Sequence, residues 1–541
     1  MSRPFIPAGP PRFAHQKVGL KRLLKQRGVG ALVFDPGLGK TATTIDYLSV
    51  LALASGWEEV RVLVICPLAA VDTWVQQMET YVPEEVSYWA EVLSGTLLQR
   101  AEALASRGGR PFGRQLSTSS TASIREGRGP RTQHFHRSWM QASRPEVPRE
   151  DGPDALPSPR IVLEVLNMDA LAARHQVGSR TMADIMLDAV KRFGPHVAVV
   201  DELHKAKGAT SNTSRLLARI QPHVPRRIGL TGTVMPHGPL DVFAQWRWLD
   251  PTAFGTTLAD GSRKAATFGG FRDRYAQMGG YLGREVVGYR NLDEMQEVMA
   301  ELAVVARKDE ALDLPETTDV TVPVELSSRE KKAYAELKKS LATSLSGGEM
   351  VSVSSMLTQM MRLRQITSGH LPDDQGTVHV IGDSKVQTIR SLVHDTLAGE
   401  KRIVIFALFK QEIRELESAL SGKGTEVLTI SGDTPGTERQ QMRQRFGSED
   451  PARLVMVAQI KTMSLAVNEL VTASHAIFAS MSQQRDDYQQ ARDRLNRLGQ
   501  SRPVTFWHAV VPGTVDDVIL QAHRDRTSLE SAMLRHIQGE D

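Results

Sequence analysis

Eight residues near the start, Phe34-Asp35-Pro36-Gly37-Leu38-Gly39-Lys40-Thr41, constrain this chain more than any other stretch. An apolar run over residues 29–34, of buried-strand type, leads into them. Residues 43–54 then carry apolar side chains at helical spacing and stop at Gly56, a helix-ending signal. Strand, glycine loop and helix in that order form a phosphate cradle. Glycine lets backbone N–H groups approach phosphate oxygens, and the helix N-terminus adds partial positive charge. Gly37, Leu38 and Gly39 are the expected cradle, Lys40 reaches the β- and γ-phosphates of ATP, and the Thr41 hydroxyl holds Mg²⁺. The general pattern G-x-x-x-x-G-K-[ST] has glycine where this chain has Phe34, so a plain strand–turn–helix with a solvated Lys40 is the alternative.

Short apolar runs alternate with helical stretches twice along the chain, which predicts an α/β protein with parallel sheets. The first set of expected strands covers residues 31–34, 61–66, 161–166, 197–201 and 227–231. The second covers 402–407, 426–431, 453–458, 475–480 and 504–511. With 541 residues there is chain enough for two such lobes. The expected division is a first lobe over 1–250, a helical protrusion or linker leading into lobe two over 251–384, and a second lobe over 385–541. Within the middle region, residues 291–308 and 327–345 are expected to be helices, the second opened by a capping box, Ser327-Ser328-Arg329-Glu330. Residues 107–160, rich in Arg, Ser, Gly and Pro without periodic apolar residues, predict a disordered, mobile insertion in lobe one. His134 and His136 within it have no Cys or acidic partners at ligand spacing, so no metal site is expected there.

A single cysteine, Cys66, excludes an internal disulfide framework, and no apolar run reaches membrane-spanning length. The expectation is a soluble protein of the cytoplasm, in a bacterial or phage-infected cell. The net charge of +4 permits a polyanionic partner without requiring one.

Three further stretches bear on chemistry. Residues 197–201 are an apolar strand ending in Asp201 and Glu202. An acid at a strand's C-terminal end can hold the Mg²⁺ shell, and its neighbour can orient and deprotonate an attacking water. Thr231 and Thr233 flank Gly232 after another apolar strand, where hydroxyls could relay the state of a phosphate site; a plain turn is the alternative. Residues 490–500 carry Arg494 and Arg497 three apart, which a helix would set on one face, facing a γ-phosphate in the transition state. An exposed basic helix face is the alternative reading.

Together these stretches resemble helicase superfamily two, most closely its Swi/Snf-type DNA translocases. The segment from Phe13 through Gln16 to Gly19 looks like the family's opening motif, which implies that Gln16 reads adenine. Gly37 to Thr41 matches its GLGKT loop, and Asp201-Glu202-Leu203-His204 stands where the family has a DEAH-like box. Cys66 to Trp74 resembles segment Ia, residues 230–251 the third motif, and Leu363-Arg364-Gln365 the segment ahead of lobe two. Gln490, Ala491, Arg494, Arg497, Gly499 and Gln500 fit QAxxRxxRxGQ at every fixed position. The chain departs from the family at Val234, where proline is usual, and at residues 462–468, which lack the glycines of motif V.

The resemblance implies two tandem RecA-like lobes with ATP and Mg²⁺ between them. Lys40, Asp201 and Glu202 would come from one lobe, and Gln490, Arg494 and Arg497 from the other. Thr231, Thr233 and Gln500 would couple nucleotide state to movement. Double-stranded DNA, held without strong sequence preference, would touch Pro67, Trp74, Thr462 and Asn468, with helix packing the equal alternative for Trp74. The function expected is an ATP-driven DNA translocase and DNA-dependent ATPase. A strand-separating DNA or RNA helicase, and a nucleotide-gated clamp without turnover, are the rivals.

Overall fold

The computed structural model describes residues 5–107 and 160–525, apart from 169–170, 172–175, 178, 237, 280–284, 313, 347–352, 374, 423, 465–468 and 498. The chain forms two compact units, Met1–Ala311 and Leu312–Asp541.

The first unit is built on a seven-stranded, wholly parallel sheet. Its strands are β1 (Val29–Phe34), β2 (Glu59–Cys66), β3 (Ser87–Val92), β4 (Arg160–Asn167), β5 (Val197–Asp201), β6 (Arg226–Thr231) and β7 (Ala303–Ala306), in the order β7-β1-β6-β5-β2-β4-β3. Parallel strands covered on both faces read as unbroken apolar runs, and β1, residues 62–66 of β2 and residues 197–200 of β5 are such runs. The helices that matter below are α1 (Ala14–Lys25), α2 (Lys40–Ala54) and α3 (Val71–Tyr81). Trp74, Phe193, Trp246 and Trp248 are among the side chains buried about this sheet.

The second unit repeats the principle with six parallel strands. These are β8 (Thr317–Pro323), β9 (Arg402–Ala407), β10 (Thr425–Ile430), β11 (Arg453–Gln459), β12 (His475–Phe478) and β13 (Val504–Val510), ordered β8-β13-β12-β9-β11-β10. Helix α4 (Arg485–Leu495) lies between β12 and β13 in sequence. Each unit is a RecA-like parallel sheet, so the fold is two such units in tandem.

All ten expected strands are present, and three more join them. The expected helix over 291–308 is a correction: it ends at Leu302, and Ala303–Ala306 turns into strand β7 beside β1, with Ala303 opposite Ala31. The strand covers an edge of β1 that would otherwise offer unpaired backbone groups. Region 251–384 is thus divided: it completes the first sheet through β7 and opens the second through β8. The capping box is present ahead of the helix Ser328–Ser346: the Ser327 N–H donates to Glu330 Oε2 at 2.8 Å, and the Glu330 N–H donates to Ser327 Oγ at 3.4 Å. The expected insertion lies outside the described residues except at its ends. There Arg107 pairs with Glu91 and Glu164 of β3 and β4, while Arg160 starts β4.

Candidate nucleotide-binding site

The C-terminal ends of β1, β6 and β5 are neighbours, which places the phosphate loop, the Thr231 turn and the two carboxylates side by side. Val33 is level with Thr231, and Leu230 with Asp201. Two strand spacings of about 4.8 Å therefore separate the loop's strand from that of the carboxylates.

Gly37 and Gly39 have φ of +89° and +78°. Gly39 is the N-cap of α2, and a Cβ there would collide with the Gln16 amide. That amide closes the loop from α1: Gln16 Nε2 donates to Leu38 O at 3.3 Å, while its oxygen accepts from the Phe13 N–H at 2.9 Å. His15 Nε2 also lies 2.8 Å from Leu38 O. Lys40 Nζ donates to Phe34 O at 2.8 Å, and its charge lowers the Asp201 pKa. The hydroxyls of Thr43 and Thr44 turn back onto the carbonyls of Gly39 and Lys40, whereas the Thr41 hydroxyl makes no hydrogen bond among the described residues. A hydroxyl and a carboxylate are the hard oxygen donors that Mg²⁺ takes, so Thr41 and Asp201 suit the expected cation.

Asp201 is buried, and that burial, followed by the charge of Glu202, pushes its carboxyl above the usual range. Its Oδ1 accepts from the Glu202 N–H at 2.9 Å and its Oδ2 from the Trp74 indole at 3.0 Å. Glu202 adopts φ +52°, ψ +52°, a left-handed conformation that costs a non-glycine residue about 1–3 kcal/mol. Strain of this kind aims a side chain that ordinary strand geometry would not.

His204 connects the carboxylates to the Thr231 turn. The Thr231 hydroxyl donates to Thr233 O at 2.6 Å, which leaves its oxygen to accept from the Thr233 N–H and from His204 Nδ1 at 3.0 Å. Nδ1 must therefore carry the proton, and it lies 3.3 Å from Glu202 Oε2. Gly232 packs on Pro36 of the phosphate loop, where a Cβ would come within 3.2 Å. The turn thus touches the loop through Gly232 and the carboxylate turn through Thr231.

Sequence gave no sign of two anchors here. Asp35 is tied to the end of β7 by the Lys308 N–H at 3.0 Å and by Arg307 at 3.3 Å. Arg12 forks onto Asp46 of α2, at 2.7 and 2.8 Å, beside a cavity of about 170 Å³ bordered by Pro7, Pro10, Gln16 and Leu20. Both partners are distant in sequence, so no local pattern links them.

Two expectations need correction. Trp74 is not a nucleic-acid contact: it is fully buried, and its only polar atom points at Asp201. Arg494 and Arg497 do not share a helix face, because α4 ends at Leu495 and Arg497 lies in the bend after Asn496. Gly499, at φ +100°, turns the chain, and buried Gln500 pins it by donating to Ala473 O at 2.8 Å. Gln490 and Arg494 are both half-buried, one turn apart on α4. Arg492 anchors that helix to Asp319 of β8, at 2.9 Å, and its guanidinium lies 4.0 Å from the centre of the Phe506 ring. Pro67 and Thr462 are partly exposed, while Asn468 falls outside the described residues.

A phosphate loop, an acidic strand end and a hydroxyl turn on adjacent strands of a RecA-like sheet define a P-loop protein of two tandem units. The chain belongs to the SNF2-related domain family, whose model matches residues 15–370, and a helicase conserved C-terminal domain matches residues 384–499. The DNA annealing helicase and endonuclease ZRANB3 of Bos taurus is 25% identical over 344 residues, 63% of this chain and 30% of that protein. The SWI/SNF-related matrix-associated actin-dependent regulator of chromatin subfamily A member 1 of Mus musculus is 22% identical over 357 residues, 64% of this chain and 32% of that protein. The chain spans about a third of the length of these relatives. A Sulfolobus solfataricus SWI2/SNF2 ATPase core in complex with dsDNA aligns over 98% of this chain and 97% of that one, at 18% identity and a TM-score of 0.37.

Proposed function

We propose that this chain is a DNA-dependent ATPase that uses ATP hydrolysis to track along double-stranded DNA. The observation that carries the reading is the convergence of Lys40, Thr231 and the Asp201–Glu202 pair at three neighbouring strand ends, within a chain of the SNF2-related family. The loop N–H groups and Lys40 bind the phosphates, and Gln16 recognises the base. Thr41 and Asp201 would hold Mg²⁺, which would supply neutralisation of phosphate charge. Glu202, aimed by its strained backbone and backed by His204, accepts a proton from the attacking water. The bond between the γ-phosphorus and its bridging oxygen breaks, releasing ADP and phosphate. Arg494 and Arg497 of the second unit, the first one turn from Gln490 on α4, stabilise charge on the transferring group.

Relatives named as a DNA annealing helicase and a chromatin regulator support DNA as the polymer. Contacts to phosphate rather than to bases make the binding largely independent of sequence. Pro67, Thr462 and Asn468 are the proposed contacts, and Thr231, Thr233 and Gln500 the coupling residues.

The test compares ATPase rate with duplex DNA, single-stranded DNA and RNA, followed by triplex displacement against duplex unwinding. Stimulation by duplex with triplex displacement supports the reading. Strand separation would favour the helicase alternative, and nucleotide binding without turnover the clamp.

A further inference from the structure

Trp74 does something that neither its motif nor its burial explains. Helix α3 rides on the sheet through Val71, Trp74 and Met78, spaced three and four apart, and all three are buried. Packing alone would leave the indole N–H free to find any acceptor or none. In the same unit, the buried indoles of Trp246 and Trp248 have no hydrogen-bond partner among the described residues. Trp74 instead spends its single donor on Asp201 Oδ2 at 3.0 Å.

With Glu202 N–H on Oδ1 at 2.9 Å, each oxygen of Asp201 carries one protein hydrogen bond. Each keeps a second lone pair, and the carboxylate plane is fixed from two sides. Indole is a donor only, so this contact fixes Oδ2 as an acceptor. Helix α3 is preceded by the turn Leu68–Ala70, where Leu68 is 66% exposed. Trp74, the group that orients Asp201, therefore follows partly exposed Pro67 by seven positions and exposed Leu68 by six.

We propose that Trp74 is a positioning residue for the metal-holding carboxylate, and that it links the exposed turn at Pro67–Leu68 to the metal site. This rests on the ATPase reading above. Removing the N–H leaves Asp201 held on one side only, so the cation binds less tightly while the phosphate loop is untouched.

The experiment replaces Trp74 in the full chain in two ways: Trp74→Phe, and site-specific incorporation of benzothienylalanine, which keeps the ring shape but has sulfur in place of N–H. The second substitution serves even where the first disturbs packing. Binding of a fluorescent ADP analogue is measured in EDTA and across a Mg²⁺ titration, with thermal unfolding alongside. Both replacements are expected to leave EDTA-state binding at the parent value and to raise the Mg²⁺ concentration for half-saturation by about 10–100-fold, the usual effect of losing a partner of a metal ligand. In the linked assay, Leu68→Ser should reduce stimulation of ATPase by duplex DNA while leaving basal turnover unchanged. A benzothienyl protein with parental Mg²⁺ dependence overturns the positioning role and leaves the ATPase reading standing. A parent chain whose nucleotide binding ignores Mg²⁺ overturns both.

Discussion

Arg12→Ala should destabilise the first unit by an amount the structure allows to be worked out. The Arg12 guanidinium donates to both oxygens of Asp46 at 2.7 and 2.8 Å, to Pro10 O at 2.5 Å and to Ala8 O at 2.9 Å. It also lies 4.8 Å from the centre of the Tyr81 ring. The side chains are 4% and 1% exposed, so truncating one strands the other away from water. Breaking a buried pair from one side costs about 3–5 kcal/mol. The deficit should also depend on pH. Burial already holds the Asp46 carboxyl above its ordinary range, against the lowering hydrogen bond and charge of Arg12. Without Arg12 burial acts unopposed by that partner, and the native state binds a proton that the unfolded chain has released. Stability then falls as pH rises through that window, so the deficit is full near pH 8 and shrinks towards about pH 4, where the unfolded carboxyl also protonates. Urea unfolding followed by tryptophan fluorescence measures this, in a double-mutant cycle with Asp46→Asn. A coupling of about 2–3 kcal/mol is expected. Additivity within about 0.5 kcal/mol, or a deficit equal at both pH values, would refute the reasoning.

Three other outcomes follow from the same geometry. Glu202→Gln should bind ATP with parental affinity and lose DNA-stimulated hydrolysis; undiminished turnover in a phosphate-release assay would remove Glu202 as the base. Arg497→Ala should lower kcat by roughly 10³-fold or more with little change in nucleotide affinity, and a parental rate would exclude it from the transition state. Glu164 is fully buried in β4, and burial outweighs Arg107 to push its carboxyl up to about 7. Glu164→Gln should therefore gain on the order of 1–3 kcal/mol at pH 8 and nothing near pH 4, as read by denaturant unfolding at the two pH values; equal stability at both would show that the carboxyl is already satisfied.

The central strands of each sheet could be read from composition because a parallel strand buried on both faces has to be apolar throughout. Ala31–Phe34 and Val197–Asp201 announce themselves for that reason. Edge strands lack that signature: Ser87–Val92 and Thr317–Pro323 mix apolar with polar or charged residues, and the short run Ala303–Ala306 hides at the end of a helix. Likewise the phosphate loop, the acidic pair and the arginine motif are local patterns whose residue types dictate their chemistry wherever the chain places them.

Tertiary structure decided the rest, because it depends on partners far apart in sequence. Trp74 and Asp201 are 127 residues apart, Arg12 and Asp46 are 34 apart, and Asp35 meets Lys308 across 273. Only the strand order β1-β6-β5 brings Thr231 between the loop and the carboxylates. Only the end of α4 at Leu495 shows that Arg497 leaves the helix. Residue chemistry is written locally, whereas direction and proximity are set by which strands pair and where helices stop.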